Sequence, residues 1–167
     1  MLNIGDRIVY PMHGAGIISD IEECEVLGEA KSYYVLKLPL GNVKVMIPTD
    51  NLDKIGIRDV ISDGELEKVT GVLKAKPDKA GGSWNKRFHA NLDRMKSGDL
   101  CDVAAVARNL IQQDRKKRIS SGERRLMDLA KQILISELVY AMNKEPEEVE
   151  TWLHNVIVHH GAETVEV

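Results

Sequence analysis

Tyr33-Tyr34-Val35-Leu36-Lys37-Leu38-Pro39-Leu40-Gly41-Asn42-Val43-Lys44-Val45-Met46-Ile47-Pro48 reads as two strands and the turn between them. β-Branched and aromatic residues crowd the runs. Pro39 stops the first, Leu40-Gly41 turns the chain, and Pro48 stops the second. Upstream, Asp6-Arg7-Ile8-Val9-Tyr10 is a strand ending at Pro11, His13-Gly14-Ala15-Gly16 is a turn, and Gly16-Ile17-Ile18-Ser19-Asp20-Ile21 is extended again. Four or five short strands at this spacing predict a small SH3-like or Tudor-like β-barrel over residues 1–53. A barrel of this size has a thin core and leans on the next element.

After Pro48-Thr49-Asp50 the period changes. Residues 54–83 are expected to connect, with a helix from Asp63, a plausible N-cap, through Leu73 and a loop over 75–83. Residues 84–160 read as an all-α domain, with 161–167 a tail. One helix runs from Ser83 or Trp84 to about Lys96, and Ser97-Gly98 breaks it. Another begins at Asp99, with Leu100, Val103, Ala104, Val106, Ala107, Leu110 and Ile111 on its apolar face. Ser120 and Glu123 stand at capping-box spacing ahead of Leu126, Leu129, Ala130, Ile133, Leu134, Glu137 and Leu138. Pro146 opens the last helix, whose stripe is Val149, Trp152, Leu153, Val156 and Ile157. The fold class is therefore a two-domain α+β chain, and no internal repeat is visible.

The chain has 167 residues and a net charge of −3, but the charge is unevenly spread. From Trp84 to Lys131 there are 12 Lys and Arg against 6 Asp and Glu. A basic block in an otherwise acidic protein is a candidate footprint for a polyanion. The run Arg115-Lys116-Lys117-Arg118 repels itself unless something screens it. No apolar run approaches the roughly 20 residues of a membrane span. Met1 to Asp6 has no charged-then-apolar leader pattern. Cys24 and Cys101 lie far apart without ligand spacing and read as reduced thiols of a cytosolic protein.

The segment Gly81-Gly82-Ser83-Trp84-Asn85-Lys86-Arg87-Phe88-His89-Ala90-Asn91 puts a large apolar ring among cations at a helix start. Two readings compete. Trp84, Phe88, Leu92 and Met95 recur on one helix face, which is the mark of core packing. A ring flanked by cations also suits nucleic acid, with cations on phosphates and the ring stacked on bases or wedged between them. Lys86, Arg87 and Arg124 are the best phosphate contacts, and Arg115 to Arg118 a weaker set. No GxxxxGK[ST], GxGxxG or HExxH motif is present, and neither the five histidines nor Cys101 form a catalytic pattern, so no enzyme and no cofactor are expected.

Gly5-Asp6-x-x-Val9-Tyr10-Pro11-x-His13-Gly14 resembles the opening of the CarD/CdnL family, which shares this module with the transcription-repair coupling factor. The likeness continues at Tyr34-Val35-Leu36-Lys37, at Ile47-Pro48 with Asn51, and at Gly56-Ile57-Arg58-Asp59-Val60. It resumes at Trp84-x-Lys86-Arg87-Phe88-x-Ala90-Asn91-Leu92, Ser97-Gly98-Asp99, Val103-Ala104-x-Val106-x-Arg108-x-Leu110 and Ser120-x-Gly122-Glu123. The resemblance implies that the barrel binds the β subunit of bacterial RNA polymerase. It implies that the helical domain binds promoter DNA at the upstream edge of the bubble, with Trp84 as a wedge in the minor groove. It departs from the family at Cys24 and Met46, where members often carry basic residues. Phe88 also stands for the commoner Tyr, and Lys86 for Arg.

The expectation is a cytoplasmic bacterial transcription regulator, associated with the nucleoid through polymerase, that stabilises the promoter open complex. It would grip DNA backbone without reading sequence. A barrel strand left at an edge accepts a partner's strand, which nominates Val43, Lys44, Val45 and Met46 as polymerase contacts. Two rivals remain. A sequence-specific helix-turn-helix repressor needs a base-reading array of Arg, Asn or Gln, and would protect a defined site without polymerase. A Tudor-like adaptor needs an aromatic cage, and the barrel offers Tyr10, Tyr33 and Tyr34.

Overall fold

In the computed structural model, residues 2–50, 52–78 and 82–163 are described; Asn51, Gly81 and the tail beyond Glu163 lie outside them. Four strands come first: β1 (Arg7–Tyr10), β2 (Gly14–Val26), β3 (Glu29–Lys37) and β4 (Lys44–Pro48). They form an antiparallel meander in the order β1-β2-β3-β4. Its core is Ile8, Ile18, Tyr34, Leu36, Leu38 and Ile47, with Leu52, Ile55 and Ile57 of the following segment packed against it. A short helix, α1 (Leu52–Ile55), supplies part of that cover.

β2 and β3 are longer than their apolar runs. Glutamates at 22, 23, 25 and 29 hide the strand pattern, yet the pairing continues out to Val26 and Glu29. Leu27 and Gly28 turn the chain with φ of +54° and +80°. Two positive φ values in a two-residue loop make the type I′ geometry that matches strand twist. A bulge between Ile18 and Asp20 shifts the register within β2.

Five helices follow: α2 (Asp63–Lys74), α3 (Trp84–Lys96), α4 (Leu100–Lys116), α5 (Ser121–Met142) and α6 (Pro146–Glu163). Their starts obey capping chemistry. Ser83, Asp99 and Ser120 accept from backbone N–H groups of Lys86, Cys101 and Glu123. At α2 the cap is Ser62 rather than Asp63, and its hydroxyl accepts from the Glu65 N–H. An N-cap side chain satisfies one of the orphan donors of the first turn. α5 ends at Asn143 in the left-handed region, φ +54°.

α4 is the central helix, burying Leu100, Val103, Ala104, Val106, Ala107, Leu110 and Ile111. α2, read from sequence as part of a connection, lays Val69 and Leu73 into the same core. Gln112 of α4 donates to the Ile157 carbonyl of α6 at 2.6 Å. Trp152 packs against this core half-buried. The stripes expected on α4, α5 and α6 are those that the core uses.

The sheet and the helices are joined along β2 and α5. The Ser136 hydroxyl accepts from the Ala15 N–H at 2.9 Å. A Cβ on Gly14 would fall within 2.5 Å of that oxygen, and Gly14 has φ +119°. Gly71 is different: it sits inside α2 with open space around its missing Cβ. Gly71→Ala should therefore raise stability by about 0.5–1 kcal/mol. Gly14→Ala should lower it by about 1–3 kcal/mol through backbone strain alone, before any clash. Urea unfolding of the two variants checks both signs.

Candidate nucleic-acid interface

α3 carries Trp84, Phe88, Leu92 and Met95 on one face, and their burial is graded. Met95 is 1% exposed and Trp84 43%. Phe88 and Leu92 lie between, packed against the helical core. The stripe is thus core at one end and surface at the other: Met95 is a core residue, and Trp84 is partly exposed.

Trp84 is exposed but held. Its ring stacks on Phe88 at 5.3 Å between centroids and 16° between planes. Its indole N–H donates to the Ser120 hydroxyl at 3.0 Å. Ser120 also accepts from the Glu123 N–H and donates to the Glu123 carboxylate. One hydroxyl therefore caps α5 and fixes the indole of α3. Gly122 lies beside the ring, where an added Cβ would make ordinary van der Waals contact with the indole at 3.5 Å. Glu123 is buried, and its second carboxylate oxygen reaches no donor among the described residues.

This contact joins two stretches that are 36 residues apart. On one side is the start of α3, with exposed Lys86 and half-buried Arg87. Arg87 donates to the Gly82 carbonyl at 3.2 Å, and its Nε reaches no acceptor among the described residues. On the other side are the last turn of α4 and the loop into α5. Arg115, Lys116, Lys117 and Arg118 are all exposed there. Arg115 and Lys116 sit where the carbonyl end of a helix favours cations. Arg124 lies in the first turn of α5 and is paired with Asp114 at 2.8 Å. Part of its charge is already answered within the protein. Arg125 beside it is exposed.

A further network steadies the approach to α3. Asp78 accepts from Asn109 and Arg94 and lies 3.2 Å from Arg108. The Asn109 amide bond, with Arg94 and Arg108 adding to it against a cost of burial, holds the Asp78 carboxyl below the usual aspartate value. Burial pushes the Arg108 guanidinium down, against the pull of Asp78.

The proposed polymerase contacts lie on β4, an outer strand of the sheet. Val43 is the exposed residue just before it, Lys44 and Met46 are exposed or half-exposed, and Val45 packs inward. The Leu38 N–H donates to the Val43 carbonyl and the Thr49 N–H to the Ser32 carbonyl. Hydrogen-bonded pairs alternate along an antiparallel ladder. Leu36 with Val45 and Tyr34 with Ile47 therefore bond each other. The backbone groups of Lys44 and Met46 point to the open edge.

Two family models cover the chain, one over the sheet and one over the helices. The CarD-like/TRCF RID domain matches residues 2–61, and the CarD C-terminal domain matches residues 68–154. This chain belongs to the CarD family. It is 38% identical over 138 residues to YdeB of Bacillus subtilis (strain 168), a protein named as a candidate transcription factor; the match covers 83% of this chain and 90% of that one.

Within this CarD family chain, sequence reasoning missed Ser120 and Gly122 as partners of Trp84. The capping box at Ser120 and Glu123 was visible, but nothing in the pattern places it beside residue 84. In a Trp152→Phe background, Ser120→Ala should shift Trp84 emission and cost about 1 kcal/mol for the lost cap. Ser120→Thr keeps an oxygen for both roles and should restore both. Steady-state fluorescence and thermal unfolding read the two effects.

Proposed function

We propose that this protein is a transcription regulator that docks on the β subunit of bacterial RNA polymerase through its sheet and stabilises the promoter open complex through its helices. Family membership and the resemblance to a transcription factor support the class. The observation that carries the mechanism is Trp84: a half-exposed ring, fixed by a stack and a hydrogen bond, at a corner where exposed cations converge.

Lys86, Arg87 and the exposed run Arg115–Arg118 would meet phosphates, and such contacts position a protein without reading bases. The ring would enter the minor groove between base steps. Unstacking costs a few kcal/mol per step, and least where the duplex is already opening. A ring that finds its partner only in the open state shifts the equilibrium toward that state. No nucleotide, metal or small-molecule substrate enters this reading, and none of the described helices is long and apolar enough to cross a membrane.

Trp84→Ala should shorten open-complex lifetime on weak promoters and leave polymerase binding intact. Its stability loss should fall well below the roughly 3–5 kcal/mol of a core tryptophan. A collapse in melting temperature together with lost polymerase binding would make Trp84 structural.

Each true phosphate contact contributes about −0.9 to the salt slope of duplex binding. Arg87→Ala or Lys86→Ala should reduce that slope by roughly 1 and weaken all sequences alike. Arg124→Ala should change it less, because Asp114 already holds that cation. Filter-binding titrations over a range of salt decide each case.

The edge of β4 supports docking by strand addition, with Val43 and Met46 supplying apolar contact where Cys24 and Met46 lack charge. Proline at 45 would remove a bond within the sheet itself. Proline at 46 removes an N–H that faces outward. Met46→Pro should therefore abolish β-subunit binding while the chain stays folded, and unaltered affinity would exclude the edge.

A further inference from the structure

Arg58 touches neither of the surfaces described above, yet it is the residue on which both converge. Its backbone pairs with β1: the Val9 N–H donates to the Arg58 carbonyl at 2.7 Å, and the Arg58 N–H to the Val9 carbonyl at 3.2 Å. Its guanidinium takes both oxygens of Glu137 on α5 at 2.8 Å. Its Nε donates to the Gly98 carbonyl at 2.9 Å. Gly98 follows α3 by two residues, so this last bond holds the far end of the helix that begins with Trp84. The sheet, through the backbone, and α5 and the wedge helix, through the side chain, meet at one residue.

Glu137 completes the node. It is 0% exposed, and it accepts from the Ile61 N–H at 2.9 Å besides its two bonds to Arg58. Two further contacts flank it on the same face of the molecule. Ser136 binds the Ala15 N–H, and the Arg7 guanidinium lies 5.1 Å from the centre of the Tyr140 ring. Fork-to-fork pairing of arginine with carboxylate fixes orientation as well as distance.

We propose that Arg58 and Glu137 are positioning residues that lock the sheet domain and the helical domain into one rigid body, so that docking through the sheet sets where Trp84 stands on the DNA. The proposal rests on the docking-and-wedge reading. It adds that the open-complex effect depends on a fixed geometry between two modules, and not on tethering alone. A flexible joint would keep both binding reactions and lose their coupling.

The test uses full-length protein carrying Glu137→Gln, Arg58→Lys or Ser136→Ala. Spin labels go on Cys24 and on Asp93→Cys, with Cys101→Ser. Pulsed electron resonance then reads the distance between sheet and α3. The parent should give one narrow distance and Glu137→Gln a broad one, with Arg58→Lys intermediate and Ser136→Ala the mildest. Binding of each variant to polymerase alone and to duplex DNA alone should stay at the parent level. Open-complex lifetime should fall at least about 5-fold, the lower end of ordinary coupling between sites. A broad distance with unaltered lifetime would overturn the proposal, as would a narrow distance in every variant. Cooperative loss of both domains in all three variants would make the pair a folding element and overturn it too. If Trp84→Ala leaves lifetime untouched, the wedge reading fails, while the distance measurement still judges the joint.

Discussion

The joint between the sheet and the helices is arranged around a carboxylate with no access to water. Glu137 is fully buried toward the C-terminal end of α5, and an ionised carboxylate there is costly unless paired and hydrogen-bonded. Arg58 supplies two bonds and the Ile61 backbone a third. Removing one partner of such a pair costs about 3–5 kcal/mol, because the other charge is left stranded. Satisfying Glu137 therefore draws residues 58–61 onto α5. That brings the sheet with them, because Arg58 is also paired to β1.

The same constraint explains why a thin sheet core suffices. Among the described residues the sheet's own core cluster has six buried members, with a partial cover from the α1 segment. Alone it would be thin. Met12 and Leu40, which belong to loops of the sheet domain, pack instead on the helical core. Gly14 permits the close approach of β2 to Ser136 that this docking requires. The joint is thus a composite of ion pair, hydroxyl bond and apolar contact.

At the opposite end of α3 the chain uses the same device in a lighter form. Ser120 serves two elements at once, capping α5 and receiving the indole of Trp84. α3 is thereby held at its C-terminal end by Arg58 and at its N-terminal end by Ser120. A ring held at both ends of its helix loses little freedom on meeting a partner, which is what preorganisation means in energetic language. The proposed wedge draws on that rigidity.

Local chemistry made much of this legible in the sequence. Strand runs stopped by Pro39 and Pro48, caps at Ser83, Asp99 and Ser120, and apolar stripes on α4, α5 and α6 depend on neighbours a few residues away, so they read directly. The basic block from Trp84 to Lys131 reads the same way. The β2–β3 arm did not, because its outer half buries nothing and its glutamates erase the alternation. The split of one stripe into buried Met95 and exposed Trp84 was equally hidden, since periodicity reports a face and not how far the neighbouring helix extends. The sequence by itself determined the two-domain α+β order, the helix starts and the charge of the candidate interface, all of which are short-range properties. Only the tertiary structure decided that Ser120 meets Trp84, that Asp114 engages Arg124, and that Arg58 and Glu137 join the domains. Those pairs span from 10 to 79 residues. Contacts at such separations are set by how whole elements pack, which no local pattern encodes.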